Sequence, residues 1–269
     1  MVDFFKVKEA VKRLPPVKRF MRSKYEKKFR TAEHCNLFDG IYVSFDEAQL
    51  SIPTSKPLGY DNTQSAQMYL ERTKQVYLND YPVLFWLQKI LPTATRLYEI
   101  GGHIGVSYYS YRNYVDYPAG FEWVINDVPA VVDRGIEVAR ENNETQLSFT
   151  KVHHLSEPTD ILFSSGALQY IEQPLYEFLK SEVHKPKHIL ISLLPVNDLP
   201  NYVTLQNIGT AYCPYIIRNE QQFVDEITAL GYRLVDVWDN PDKRCAIPFQ
   251  DGKYSIDHYK GFYFSKVSD

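Results

Sequence analysis

Leu97-Tyr98-Glu99-Ile100-Gly101-Gly102-His103-Ile104-Gly105 is the stretch whose reading decides the fold. It has the shape of a short strand, an acid, a glycine-rich turn, and a helix running on to Tyr114. Glycines at a strand-to-helix turn let the backbone approach a ligand that a side chain would hold off. A helix length further on, the apolar run Phe121-Glu122-Trp123-Val124-Ile125-Asn126 ends at Asp127. A carboxylate at the tip of the second strand is where a doubly wound sheet holds ribose hydroxyls. The pair of features points to an adenosine-containing cofactor. From the residues alone, the turn reads equally well as a tight connection whose glycines serve packing.

The missing motifs narrow the cofactor. The dinucleotide fingerprint needs glycine at the first, third and sixth positions. Counted from Gly101 these are Gly101, His103 and Val106, and counted from Gly102 the third is Ile104. No Gly-Lys-Ser/Thr follows, so the phosphate loop of nucleotide triphosphatases is absent. The turn resembles motif I of class I S-adenosylmethionine (SAM) methyltransferases, in which an acid leads into a short glycine turn. SAM carries an ammonium, a sulfonium and a ribose. A carboxylate at Glu99 suits the ammonium, and one at Asp127 suits the ribose.

Around this stretch the pattern alternates. Strands are expected over 96–100, 122–126, 146–150, 160–164, 188–194, 233–238 and 261–265, with helices over 104–114, 129–142, 174–183 and 220–230. Repeated alternation means a parallel sheet covered on both faces. The last strand follows the one before without a long helix, so it is expected to run antiparallel. Upstream, residues 31–95 read as a helical region, with Ser44 and Tyr81-Pro82 as helix starts. The segment 195–218 is too long for an ordinary connection, and such insertions are often functional.

Composition sets outer limits. The chain has 269 residues, 44% hydrophobic and 23% charged, with a net charge of −3, an ordinary globular balance with no nucleic-acid signature. Cys35, Cys213 and Cys245 are scattered and odd in number, which fits a reducing cytoplasm. No run approaches the roughly 20 apolar residues of a membrane span, and the charged N-terminus lacks a signal-peptide core. Residues 1–30 hold eleven Lys/Arg and three Asp/Glu, a charge of +8 that leaves −11 on the rest. Apolar residues are interleaved there, and Pro15-Pro16 divides the arm into two short helices. Such an arm can lie on the inner membrane face, dock on an acidic partner, or pack on its own acidic body. Metal binding is not expected, because His153-His154 are adjacent and no ligand spacing supports them.

Read in order, further motifs sharpen the resemblance. They are Leu37-Phe38-Asp39-Gly40-Ile41-Tyr42, Ser44-Phe45-Asp46-Glu47-Ala48, Gly59-Tyr60-Asp61, Ser164-Ser165-Gly166-Ala167-Leu168-Gln169-Tyr170, Tyr202-Val203-Thr204-Leu205-Gln206-Asn207 and Cys213-Pro214-Tyr215. With the glycine turn and Asp127, this set resembles a family of SAM-dependent methyltransferases encoded in bacterial surface-polysaccharide gene clusters, over roughly residues 37–265. The resemblance implies a Rossmann-like three-layer α/β sandwich with a seven-stranded, mostly parallel sheet and an antiparallel last strand. The residues themselves divide the chain into a basic arm (1–30), an N-terminal helical region (31–95) and a domain over 96–269, the SAM-binding one in this reading, with the insertion 195–218.

The same resemblance implies the site. Glu99, Gly101, Gly102, Gly105, Asp127, Ser165, Gly166 and Tyr60 would hold SAM, or the product S-adenosylhomocysteine (SAH). The family's middle glycine is His103 here, and the acid often found after the third strand is replaced by Lys151-Val152-His153-His154. Transfer of a methyl to a hydroxyl needs alignment and a base within reach. His103 and Tyr170 are the catalytic candidates, and Gln169, Tyr108, Tyr202 and Gln206 the candidates for binding the acceptor, a small molecule or saccharide. The implied activity is O-methylation of a sugar or nucleotide-sugar precursor. A nicotinamide-dependent oxidoreductase and a non-catalytic SAM-binding scaffold are the alternatives.

Overall fold

The computed structural model describes residues 14–33 and 35–267. The first of the two short helices expected in the arm lies outside these residues. The second is α1 (Pro15–Thr31), a single helix with both prolines in its first turn, where a missing N–H costs nothing. Then come β1 (Leu37–Tyr42), α2 (Phe45–Leu50), α3 (Thr63–Ala66) and α4 (Tyr81–Ile90). The strand–helix alternation follows as β2 (Arg96–Ile100), α5 (Val106–Tyr111), β3 (Glu122–Asn126), α6 (Pro129–Glu141), β4 (Leu147–Thr150), β5 (Ile161–Ser165) and α7 (Leu175–Ser181). The chain ends with β6 (His188–Leu194), β7 (Val196–Asn197), β8 (Tyr202–Asn207), β9 (Tyr212–Asn219), α8 (Glu220–Thr228), β10 (Tyr232–Asn240) and β11 (Tyr259–Lys266).

Seven strands form one sheet in the order β10-β11-β6-β5-β2-β3-β4. The pairs from β6 to β4 are parallel, while β11 runs antiparallel to both β6 and β10. This is the class I methyltransferase sheet expected from the sequence, with the antiparallel strand slotted next to last in space. The alternation of strand residues splits the core into two layers. Leu97, Trp123, Ile125 and Phe163 pack with α4, α5 and α6 on one face. Tyr98, Ile100, Leu162 and Ile191 pack with α7 and α8 on the other.

The chain winds outward from β2 through β3 to β4, then crosses back to β5 and β6. The crossover makes a switch point between β2 and β5, whose carboxyl ends open a crevice. Above that edge stands a second, four-stranded sheet in the order β1-β8-β9-β7. Here the expectation of an all-helical 31–95 is corrected. Leu37–Tyr42 is a strand because it pairs antiparallel with β8, from the insertion, 166 residues later at Asp39↔Leu205 and its neighbours. Residues 62–78 are likewise not one helix but short turns, with Asn62 capping α3 through the Ser65 N–H at 2.9 Å. The insertion supplies β7, β8 and β9, and every residue of β8 is buried.

The candidate functional site

Three left-handed backbone positions shape the turn after β2: Gly101 (φ 71°), His103 (φ 55°) and Gly105 (φ 97°). At Gly101 a Cβ would collide with Ala167 beyond β5, so the absence of a side chain is required. His103 takes a conformation that a glycine would adopt freely, at a cost of roughly 1–2 kcal/mol for an L-residue. Two bonds hold it there. Its backbone N–H donates to Asp127 Oδ2 at 2.9 Å, and its ring Nε2 lies 3.0 Å from Ser65 O. A carbonyl only accepts, so Nε2 carries the proton and Nδ1 is a bare acceptor. Nδ1 has no partner although the residue is 6% exposed. Burial lowers the imidazole to about 4, against the smaller raising effect of the Ser65 carbonyl. At neutral pH His103 is therefore a neutral acceptor rather than a strong base.

Glu99, 1% exposed, accepts from Ser107 Oγ at 2.9 Å and Trp123 Nε1 at 2.8 Å. Burial lifts its carboxyl to about 7, opposed by these two donors and assisted by Asp127. No Lys or Arg pairs with it among the described residues. Gly102 packs against it, and a Cβ there would lie 2.5 Å from its carboxyl carbon. Asp127, at the end of β3, is lifted to about 6 by burial, with the Val128 and His103 N–H groups opposing. Those donors take one lone pair on each oxygen, at 2.8 and 2.9 Å.

These groups line one cavity of about 980 Å³ at the carboxyl edge of the sheet. Glu99, Gly101, Gly102, His103, Asp127, Ser165 and Gly166 form one part of its wall. Tyr60, Gln169, Tyr170 and Gln206 reach it from the covering segments. The Tyr60 hydroxyl donates to that of Tyr170 at 3.4 Å, and the two rings meet edge to face. Burial pushes both phenols well above 10, so Tyr170 keeps its proton and is a hydrogen-bonding group, not a base. Gln169 and Gln206 donate from Nε2 to Gly166 O and to Asn36 Oδ1, which leaves Oε1 of each buried without a partner.

Three sequence candidates stand elsewhere. Gly105 starts α5 and backs onto Tyr109 and Leu147, outside the wall. Tyr108 points into the core, stacked on Tyr117 and bonded to Glu144, because the short α5 turns that side toward Trp123. Tyr202 is tied to Asn197 and Tyr254 behind the small sheet. Conversely, sequence reading missed Arg72, Asp80, Lys243 and Arg244, which all line the cavity. The triplet Asp242-Lys243-Arg244 two residues after β10 was the available signal, since strand ends on this edge face the crevice.

No family model matches the chain, and no curated protein does. Similar solved structures include the 1,6-didemethyltoxoflavin-N1-methyltransferase of Burkholderia thailandensis, with 1,6-didemethyltoxoflavin and SAH bound. It is 15% identical, with TM-score 0.48, over 71% of this chain and 79% of that one. The CcbJ methyltransferase of Streptomyces caelestis is 11% identical, with TM-score 0.48, over 78% and 98%. The cyclase SpnF is 16% identical, with TM-score 0.47, over 70% and 82%. Among the described residues no His, Cys, Asp and Glu cluster could hold a metal, and no helix is long and apolar enough to cross a membrane.

Proposed function

We propose that this chain is a SAM-dependent methyltransferase that O-methylates a sugar or nucleotide sugar. The observation that carries the reading is the pair of carboxylates at the switch point. Glu99 is a buried acid with two donors and no cation beside it, and a ligand cation is its natural complement. Asp127 keeps a free lone pair on each oxygen at the place where ribose hydroxyls are held. The backbone between them approaches closely because no Cβ fits at Gly101 or Gly102. The dinucleotide alternative lacks its third-position glycine, which is His103 here. The surface-polysaccharide setting comes from the sequence resemblance alone.

When bound, SAM would supply an activated methyl group to the acceptor oxygen. The residues of the chain hold and orient. Glu99 offers negative charge to the ammonium, and Asp127 accepts from the ribose. His103, Gln169 and Gln206 line the cavity, and each carries one buried acceptor atom without a donor, a cost of about 1–3 kcal/mol apiece that turning toward a hydroxyl-bearing ligand would relieve. Much of the rate would come from alignment in a site shielded by the tyrosine pair. Calorimetry with SAH on the wild type and Asp127→Ala tests the reading. At least about tenfold weaker binding is expected in the variant, since bonds to a charged group are strong. Equal binding would remove Asp127 from the site.

A further inference from the structure

One end of the cavity gathers three cations, more than the cofactor's single carboxylate calls for. Arg72 lies in a turn packed against α5, and Lys243 and Arg244 follow β10. All three line the cavity. The Arg72 guanidinium sits between two rings, 5.3 Å from the centroid of Tyr69 and 5.1 Å from that of Tyr77. Tyr69 in turn packs on His103, with centroids 4.8 Å apart, so this end adjoins the glycine turn. The stacking fixes the plane of the guanidinium and leaves its N–H fork unused. Among the described residues, none of the three cations makes a side-chain hydrogen bond or an ion pair. Lys151, a fourth cation of the wall, differs, because it is paired with Asp133 at 2.6 Å.

The nearby acids form no ion pair with them. Asp80 lies close enough to act on Arg72 and Lys243, but its oxygens are engaged by the Tyr111 hydroxyl at 3.0 Å and the Tyr77 N–H at 2.7 Å. Asp242 is exposed. The Lys243 ammonium is lowered by burial and then by Arg72, which together outweigh both acids. A half-buried cation held beside another with no paired counter-ion is unfavourable unless a ligand supplies further negative charge.

We infer that Arg72, Lys243 and Arg244 form a seat for a phosphate or diphosphate group carried by the acceptor. Arg72 would grip it through its planar fork, and Lys243 and Arg244 would neutralise it. The acceptor is then a phosphorylated sugar or nucleotide sugar rather than a free sugar. This rests on the methyltransferase reading for the word acceptor, while the seat itself stands on the cations alone.

The probe is inorganic pyrophosphate, titrated by calorimetry into free and SAH-saturated protein, for wild type, Arg72→Gln and Lys243→Gln. Salt-sensitive binding is expected to both wild-type forms. Each variant should bind pyrophosphate about tenfold more weakly, with SAH affinity within about twofold of wild type. Because Arg72 packs between rings, Lys243→Gln carries the test if Arg72→Gln melts early. Absence of pyrophosphate binding to wild type, or unchanged binding in Lys243→Gln, overturns the seat. Displacement of pyrophosphate by SAH also overturns it, since the cations would then serve the cofactor's carboxylate. Pyrophosphate binding that is lost in the variants, with no SAH binding at all, keeps the seat and removes the methyltransferase reading.

Discussion

Glu99 and Asp127 are lifted to about 7 and about 6 because burial penalises their charged forms. A cation bound beside Glu99 reverses that penalty and expels the proton. The complex then holds fewer protons than the free protein, so affinity for SAM rises with pH through the window from about 6 to about 7. Calorimetry near pH 6.5 in buffers of different ionisation enthalpy should report proton release; proton uptake would contradict it. Gly102→Ala tests the same carboxylate from behind. The new Cβ would lie 2.5 Å from Glu99, whose side chain must shift. SAM affinity should fall at least about tenfold, while the fold survives because Gly102 has no left-handed backbone. The placement of Gly101, Gly102 and Asp127 at the cavity edge was legible in the sequence because it is local to one turn and one strand end. Tyr108 and Tyr202 were not, because which way a tyrosine turns depends on packing with elements distant in the chain.

At the scale of elements, the seven-stranded sheet was legible because most of its strands are short apolar runs that alternate with helices, and the last follows without one. The small sheet was hidden. Leu37–Tyr42 carries an Asp and a Gly, and only its pairing with β8 makes it a strand. The same sheet anchors α1. Phe29 is 2% exposed and stacks on Tyr212 at 5.5 Å, and Tyr25 bonds to Phe38 O. Phe29→Ala should therefore lower the unfolding free energy by about 3–5 kcal/mol, read as a lower urea midpoint; an unchanged midpoint would mean that α1 is not docked. The described half of the arm is thus partly structural, packed on the body of the protein. Its outer face remains a candidate for an anionic surface: Phe20 is 70% exposed beside Lys18 and Arg19. Full-length protein should sediment with anionic liposomes at low salt and be released at high salt. Recovery in the supernatant at low salt would leave α1 as a purely internal support.

Over the whole molecule, the covering sheet and the segment from Gly59 to Arg72 turn an open crevice into a cavity. Ser65 holds His103, and Asp61 Oδ1 accepts from Ala130 N at the start of α6 at 2.8 Å. The cover and the glycine turn are thereby one structure, and its left-handed histidine is the point at which they join. Under the proposed reading that architecture favours one cofactor. SAM would present a cation to Glu99 and two hydroxyls to Asp127, whereas NAD would bring a pyrophosphate toward two buried carboxylates and a histidine where glycine is needed. The most direct test is calorimetry of the intact protein with SAH and with NAD under identical conditions. Saturable heat with SAH and none with NAD is the predicted result. Binding of NAD with no response to SAH would contradict the account.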